Sequence, residues 1–183
     1  MKLIKLIFLF LITTNLAFAQ TPRYIEDANL VKYKQEIEKE ALKLKQELLK
    51  KDRISDFDKL QIDFQIDTLM IERFLSKRTS IDYTTHGLIA AVYDSGIEYD
   101  ILLNKYYKLL HKRLEDSDKE ILKQAQRNWI KYRDSESKLN DVIYKEEYSG
   151  FGTVLDILVT SRNAEITKNR VFELYDYLSR ITF

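Results

Sequence analysis

The chain contains no cysteine, one proline and four glycines in 183 residues. Without cysteine it has no disulfide bonds, no thiolate metal ligands and no thiol nucleophile. Proline and glycine mark turns and interrupt helices, so their scarcity indicates long regular segments joined by few tight turns. Because leucine, lysine, glutamate and isoleucine are abundant as well, the composition predicts an all-α fold.

The chain also lacks an excess of charge of either sign, with 30 basic and 29 acidic residues. Nucleic-acid-binding proteins usually carry a basic excess on one face, so this balance argues against such a partner. Histidine is limited to His86 and His111, and neither belongs to a pattern that indicates a metal site. We therefore predict no nucleic-acid partner, no metal and no cofactor.

Long hydrophobic runs are missing, apart from a short one at the N-terminus. Two lysines precede an apolar stretch at 6–12, and the sequence Ala-Phe-Ala ends at Ala19, which is typical of a secretory signal peptide. A membrane-spanning helix needs about 20 apolar residues, and polar residues at 13–15 interrupt this stretch earlier. We expect cleavage near Ala19 and a periplasmic or secreted mature protein without a membrane span.

Signatures of common enzymes are absent from the sequence. It has no G-x-S-x-G nucleophile motif and no G-x-G-x-x-G phosphate loop. Its 29 acidic residues allow many carboxylate pairs, so no single pair indicates glycosidase chemistry. We therefore predict no catalytic residue and a non-enzymatic protein, with a cell-wall enzyme built around convergent carboxylates as a remote alternative.

Apolar residues spaced by three and four predict helices along the chain. The first covers 24–51. The second covers 57–75, where alternating residues at 60–66 leave a strand as the alternative, but about 20 residues exceed an ordinary strand. Ser55 and Asp58 resemble a capping box at its start, and 76–85 is expected to be a polar connection.

The second half of the chain predicts three more helices, over about 85–114, 118–144 and 154–178. Gly96 is expected to kink or interrupt the first of them. Ser117 and Glu120 have capping-box spacing. The sequence therefore indicates the start of this second helix more strongly than the start of any other helix. The predicted architecture is an antiparallel helical bundle with an additional N-terminal helical hairpin, divided into an N-terminal extension at 20–80 and a helical domain at 81–183.

The stretch QAQRNWIKYRD, at 124–134, contains the only tryptophan of the chain. On a helical wheel, one stripe expected to face the core consists of Leu122, Ala125, Trp129 and Tyr132. Gln126 and Arg133 lie beside this stripe and need polar partners if they are buried. Asp100 and Asn104 of the preceding helix are the candidates. We therefore predict that Gln126 and Arg133 pin the two helices together, with contact to a partner protein as the alternative.

Three short motifs follow one another in this half of the chain. The first, D-x-x-L-N-x-x-Y, consists of Asp100, Leu103, Asn104 and Tyr107. The second, Q-x-x-W-x-x-Y-R-D, consists of Gln126, Trp129, Tyr132, Arg133 and Asp134. The third, T-x-x-R-x-x-x-L, consists of Thr167, Arg170 and Leu174. In this order the motifs resemble the LprI-type lysozyme inhibitor family of small secreted or envelope proteins of bacteria, and the resemblance spans about 84–178.

The resemblance implies a helical domain that inhibits a lysozyme by protein–protein contact, with the motif residues in structural roles. Members of the family usually carry cysteines. In this chain Ser137 stands at about one such position and Ala90 or Ala91 at another, so packing takes the place of disulfides.

One loop has the composition that an inhibitor of a cationic glycan-cleaving enzyme needs, namely carboxylates and aromatic rings able to enter a cleft. Its candidate binding residues are Glu146, Glu147, Tyr148 and Phe151. An ordinary helix connection, in which the glycines serve turn geometry, is the alternative interpretation. For the protein as a whole, the alternative is a structural or interaction module of the cell envelope that binds another envelope protein and has no effect on lysozyme.

Overall fold

A computed structural model describes residues 23–50, 53–150, 152 and 154–181. The helices in this part are α1 (Asp27–Leu48), α2 (Asp56–Ile81), α3 (Thr85–Arg113), α4 (Asp116–Ile143), α5 (Glu146–Ser149) and α6 (Val154–Arg180). The all-α prediction is confirmed, including the helix at 57–75. The predicted signal peptide lies outside the described residues, and among those described no helix has both the length and the hydropathy to cross a bilayer.

The central pair of the bundle is α3 and α6, which contact each other along much of their length. Helix α2 packs against both of them, whereas α4 packs mainly against α6 and only sparsely against α3. Tyr106, Val171 and Leu174 are completely buried between these helices. Phe64 of α2 stacks on Tyr175 with 3.8 Å between ring centroids and meets Tyr106 edge-on at 5.2 Å. The hydrophobic core thus unites α2, α3 and α6.

Helices α1 and α2 form the predicted N-terminal hairpin around a second, smaller apolar cluster. Ala41 of α1 packs there with Ile62 and Ile66 of α2. The face of α1 away from α2 is rich in charged side chains and exposed. Because α2 also supplies Phe64 and Ile71 to the main core, the hairpin is joined to the bundle chiefly through α2. Lys34 of α1 adds a salt bridge to Glu98 of α3 at 2.6 Å.

Helix α2 is longer than predicted. The segment 76–85 was expected to be a polar connection, but the helix continues to Ile81. The reason is Arg78, which is only 8% exposed, forms a salt bridge with Asp94 of α3 and lies over the ring of Phe74. Because Asp94 on the next helix pairs with Arg78, this polar stretch forms the end of α2 and is partly buried.

The structure confirms one predicted capping box. The amide of Asp58 donates to Ser55 Oγ at 3.0 Å, and the amide of Ser55 donates to Asp58 Oδ2 at 2.9 Å. The reciprocal bonds satisfy two amides that have no partner within the helix, which fixes the start of α2.

The prediction of a second capping box, at Ser117 and Glu120, is wrong. Helix α4 begins at Asp116, so Ser117 already lies inside its first turn, and the capping residue Glu115 makes no side-chain cap hydrogen bond. Asp116 instead accepts a hydrogen bond from Lys119 Nζ at 2.7 Å. A carboxylate in the first turn is favoured by the helix dipole, which allows α4 to begin earlier than the serine pattern indicates.

Gly96 does not interrupt α3, contrary to the prediction. The helix runs through it without a break. A Cβ placed on Gly96 would lie 3.4 Å from the Cβ of Ala164 in α6. Gly96 therefore lies inside an unbroken helix, where a side-chain Cβ would be in ordinary van der Waals contact with α6.

Candidate functional site

The connection between α4 and α6 carries the candidate binding loop. Glu147 and Tyr148 lie in α5 and are exposed, Tyr148 to 69%. Phe151 and the side chain of Glu146 lie outside the described residues. Gly150 follows α5 with a φ of +64°, a left-handed conformation that glycine adopts without strain. Gly150 thus serves the turn, as the alternative interpretation predicted, and the neighbouring Glu147 and Tyr148 remain accessible.

Exposed apolar side chains flank this connection on both long helices. Those that are at least 40% exposed are Leu139, Val142 and Ile143 of α4, and Val154 and Leu158 of α6. Because α4 and α6 are packed and joined at this end, these side chains lie at the same end of the bundle as Tyr148. We call the segment 139–158, most of whose described side chains are exposed, the connection surface. Clustered exposed apolar side chains of this kind are typical of protein contact sites.

The connection surface is also acidic. It contains four acidic residues and one basic residue, a net charge of −3, in a chain whose formal net charge is +1. The chain as a whole is therefore nearly neutral, whereas this segment produces a local negative field. Such a field attracts cationic partners within about 8–10 Å at physiological ionic strength.

The second and third motifs meet in the interior between α4 and α6. Arg170 is 7% exposed and donates from Nε to Gln126 Oε1 at 3.1 Å. Its Nη1 donates to Glu173 Oε2 at 2.8 Å, and its guanidinium lies 5.9 Å from the ring centroid of Trp129. Gln126 is buried, but its partner is on α6, so the prediction that it pins α4 to α3 is wrong. The physical reason is that α4 follows α3 in sequence yet packs mainly on α6.

Arg133 reaches α3 as predicted, but as a half-exposed bridge. Its Nη1 lies 3.5 Å from Asp100 Oδ1, and its Nη2 lies 2.9 Å from Asp134 Oδ1. The side chain of Arg133 is 32% exposed and that of Asp100 is 50% exposed. The guanidinium also lies 5.4 Å from the ring centroid of Trp129. Solvent screens a pair of this kind, so it contributes little to stability.

The face of α4 that turns inward differs in part from the one predicted. Ala125 and Tyr132 are exposed, Tyr132 to 51%. The inward stripe consists of Leu122, Gln126, Trp129, Arg133 and Asn140. Three of these five are polar. Neighbouring helices supply polar partners for these side chains. For example, Asn140 Nδ2 donates a hydrogen bond to Asn163 Oδ1 of α6 at 3.0 Å.

Between α3 and α4 lies an open groove, here called the α3–α4 groove. It comprises cavities of about 350 and 390 Å³ that share Asp100 and Arg133 as lining residues. The first cavity is lined by Asp100, Leu103, Asn104, Tyr107, Lys123, Gln126, Arg127, Trp129, Ile130 and Arg133. Thr167 and Asp134 line the second. Lys123 and Arg127 were not predicted as groove residues because their sequence pattern is that of an ordinary solvated helix face.

Raised pKa values belong to tyrosines of the core helices, namely Tyr99, Tyr106 and Tyr175, whereas lowered ones belong to carboxylates that are partly or fully exposed. Burial, followed by a hydrogen bond to Glu72, raises the pKa of Tyr99, and burial together with the nearby Asp67 carboxylate raises that of Tyr106. Burial also raises the pKa of Glu72, but hydrogen bonds from Lys168 and Tyr99 outweigh it and hold that pKa below its usual value. These groups join α2, α3 and α6, which is a structural arrangement and not that of a general acid. In the described part of the chain, no group of three or more metal-binding side chains occurs.

Comparison with known proteins gives one family. Residues 76–174, more than half of the chain, match the family model described as Lysozyme inhibitor LprI. The matched residues include all three motifs, the α3–α4 groove and the connection surface, and they begin within the last turns of α2. Neither a curated protein nor a solved structure matches the chain.

Proposed function

Since the chain belongs to the LprI family of lysozyme inhibitors, we propose that it is a periplasmic or secreted, non-enzymatic protein that inhibits a lysozyme by direct contact. The observation that carries this proposal is the connection surface. It combines exposed apolar side chains with a net charge of −3. The predicted signal peptide, with cleavage near Ala19, would deliver the protein to the compartment where such enzymes act.

The shape and charge of the connection surface suit an inhibitor of a cationic enzyme. Tyr148 is 69% exposed on the short helix α5, and exposed aromatic side chains often supply most of the binding energy of an interface. Glu147, together with Glu146 before it in the sequence, provides carboxylates for the basic groups of the enzyme. Charges of opposite sign accelerate encounter and select the partner. The exposed apolar side chains around them supply burial.

Purified mature protein should be titrated against several lysozyme types in a cell-wall clearing assay. We expect inhibition of at least one type, weakened by added salt because the contact is electrostatic. A variant with alanine at Glu146, Glu147 and Tyr148 should require at least about tenfold more protein for half-inhibition, which corresponds to about 1.4 kcal/mol.

A matched control replaces another exposed glutamate and tyrosine, Glu36 and Tyr24 of the N-terminal region, by alanine. This variant should inhibit as well as wild type. If the wild type inhibits none of the lysozymes at large molar excess, the inhibitor proposal is refuted for those enzymes. Unchanged potency of the triple variant would leave the family assignment intact and move the contact away from the connection surface.

The alternative function, an interaction module of the envelope, is favoured by a different surface. Tyr93, Ile97 and Ile101 follow one another at four-residue spacing on α3 and are 62%, 46% and 61% exposed. Replacing Ile97 and Ile101 by serine tests whether this surface takes part in lysozyme inhibition. Under our proposal this change leaves lysozyme inhibition unaltered, whereas a loss of inhibition would place the contact on α3.

A further inference from the structure

The α3–α4 groove contains side chains that the proposed lysozyme contact does not use. Two aromatic side chains, Tyr107 and Trp129, line it together with planar polar side chains. The planar polar side chains are Asp100, Asn104, Gln126, Arg127 and Arg133. The groove lies along the length of α3 and α4, whereas the connection surface lies at the end of α4, so the two are separate features of the same domain.

Packing alone does not account for the composition of this groove. Residues that served only to join α3 and α4 would be buried between them. Instead Asn104 is exposed, the side chain of Asp100 is 50% exposed, and Tyr107 and Trp129 are only half-buried. Helix α4 contacts α3 sparsely and leaves a cavity of about 350 Å³. This volume lies within the range of about 300–1,000 Å³ that is usual for small-ligand sites.

The polar groups in the groove have hydrogen-bonding capacity to spare. Arg133 Nη1 and Asp100 Oδ1 are 3.5 Å apart, which is longer than a good hydrogen bond between them would be. Asn104 Nδ2 donates to the main-chain oxygen of Asp100 at 2.8 Å. Within the described residues, Asn104 Oδ1 accepts no hydrogen bond and Arg127 forms no salt bridge. Donors and acceptors are therefore both available to a ligand.

The charges around the groove are largely compensated. Arg133 pairs with Asp134 at 2.9 Å and faces Asp100, and Lys123 pairs with Glu120 at 2.7 Å. A phosphate or an acidic peptide would require uncompensated positive charge, which only Arg127 offers. The balance of charge favours a neutral ligand that both donates and accepts hydrogen bonds.

We infer that the α3–α4 groove binds a short, neutral saccharide. Hydroxyl groups of a sugar both donate and accept, which suits the Asp100, Asn104 and Arg133 side chains. The apolar C–H faces of a sugar ring pack against aromatic rings such as that of Tyr107. Trp129, whose ring lies near the guanidiniums of Arg133 and Arg170, forms part of the groove wall. This inference goes beyond lysozyme inhibition and holds whether or not the connection surface binds the enzyme.

Trp129 is the only tryptophan of the chain, so its fluorescence reports directly on the groove. The mature protein should be titrated with a trimer of N-acetylglucosamine and, separately, with a trimer of glucose. We expect a saturable change in Trp129 fluorescence with at least one of them. Response to the acetylated trimer alone would indicate a cell-wall type of glycan, and response to both would indicate recognition of the ring hydroxyls.

Variants separate the groove from the rest of the surface. Asn104→Ala should weaken saccharide binding at least fivefold, while its circular dichroism spectrum and lysozyme inhibition remain those of wild type. Asn128→Ala is the matched control, since Asn128 is exposed on α4, pairs with Gln124 at 3.0 Å and does not line the groove. It should bind the trimer as tightly as wild type.

Three results would overturn the saccharide site. The first is the absence of a saturable change with either trimer at concentrations well above a Kd of about 1 mM, the weak end of specific binding. The second is equal affinity of the Asn104→Ala and wild-type proteins. The third is a saturable response to inorganic phosphate but to neither sugar, which would identify an anion site. In each case the result of the lysozyme assay is unaffected, so the two proposals fail separately.

Discussion

Arg170 and Arg133 should contribute very differently to the stability of the fold, although both are motif residues and both lie over the ring of Trp129. Arg170 is 7% exposed and donates to the buried Gln126 at 3.1 Å. Arg133 is 32% exposed, and its bridge to α3 spans 3.5 Å. We predict that Arg170→Ala strongly destabilises the protein and that Arg133→Ala has little effect.

The magnitudes follow from the groups left without partners. Arg170→Ala removes the donor to Gln126 Oε1, and a buried acceptor left unsatisfied costs about 1–3 kcal/mol. Loss of the half-exposed pair with Glu173 adds at most about 1 kcal/mol. The expected decrease in the free energy of unfolding is therefore about 1–4 kcal/mol for Arg170→Ala. For Arg133→Ala it is at most about 1 kcal/mol, the value of an exposed ion pair.

Urea unfolding followed by far-UV circular dichroism measures these changes, provided that the m-value is the same for all variants. In thermal unfolding, where 1 kcal/mol corresponds to about 2–4 °C for a chain of this size, Arg170→Ala should lower the Tm by roughly 2–16 °C. Arg133→Ala should lower it by no more than about 4 °C.

A double-mutant cycle tests the cause as well as the size of the effect. If the Gln126 hydrogen bond is responsible, the combined Gln126→Ala and Arg170→Ala variant should lose less stability than the two single losses together, by about 1 kcal/mol or more. Strict additivity would show that this bond is not the source. An equal or larger loss for Arg133→Ala would refute the reasoning from burial altogether.

Two further predictions concern ionisation and helix capping. Because hydrogen bonds from Lys168 and Tyr99 hold the pKa of Glu72 below its usual value, Glu72 stabilises the fold above about pH 4.5, and this stabilisation is lost as the pH falls through the lowered pKa. Urea midpoints measured from pH 7 to pH 3 should therefore fall less steeply for Glu72→Gln than for wild type, and parallel curves would contradict the role of Glu72. In the same urea experiment, Ser55→Ala should lower the free energy of unfolding by about 1 kcal/mol, as for a typical N-cap. Ser117→Ala should lower it by a few tenths of a kcal/mol at most, because α4 begins before Ser117. Equal losses for the two variants would refute the observed start of α4.

Helical periodicity predicted the all-α fold and the positions of the long helices because their apolar spacing is regular. It failed at the end of α2, where Arg78 looks like part of a polar connection. Its burial depends on Asp94, sixteen residues later and on another helix. A local pattern contains no information about a partner that only the folded chain brings near.

The candidate sites could be predicted only in part. The composition of the connection loop identified Glu147 and Tyr148 as a possible contact, and the structure places both at the surface. For α4, hydrophobic periodicity correctly placed Leu122 and Trp129 toward the core. It was wrong for Ala125 and Tyr132, which turn outward. The polar inward residues are satisfied mainly by α6, which sequence order did not suggest as the neighbour of α4. Because α4 packs mainly on α6 and only sparsely on α3, a groove remains between α3 and α4.

The sparse contact between α4 and α3 also divides the bundle into layers that should open separately. Helices α2, α3 and α6 form most of the large core, to which α4 contributes Leu122, and α4 is attached chiefly through α6. Segments with few buried apolar contacts exchange their amide hydrogens through local opening, at a lower free energy than global unfolding. Both candidate binding features lie on or beside α4, so a bound partner would slow exchange in this outer layer first. If the proposed sites bind partners, the binding part of the molecule is also the layer that opens at a lower free energy than the core.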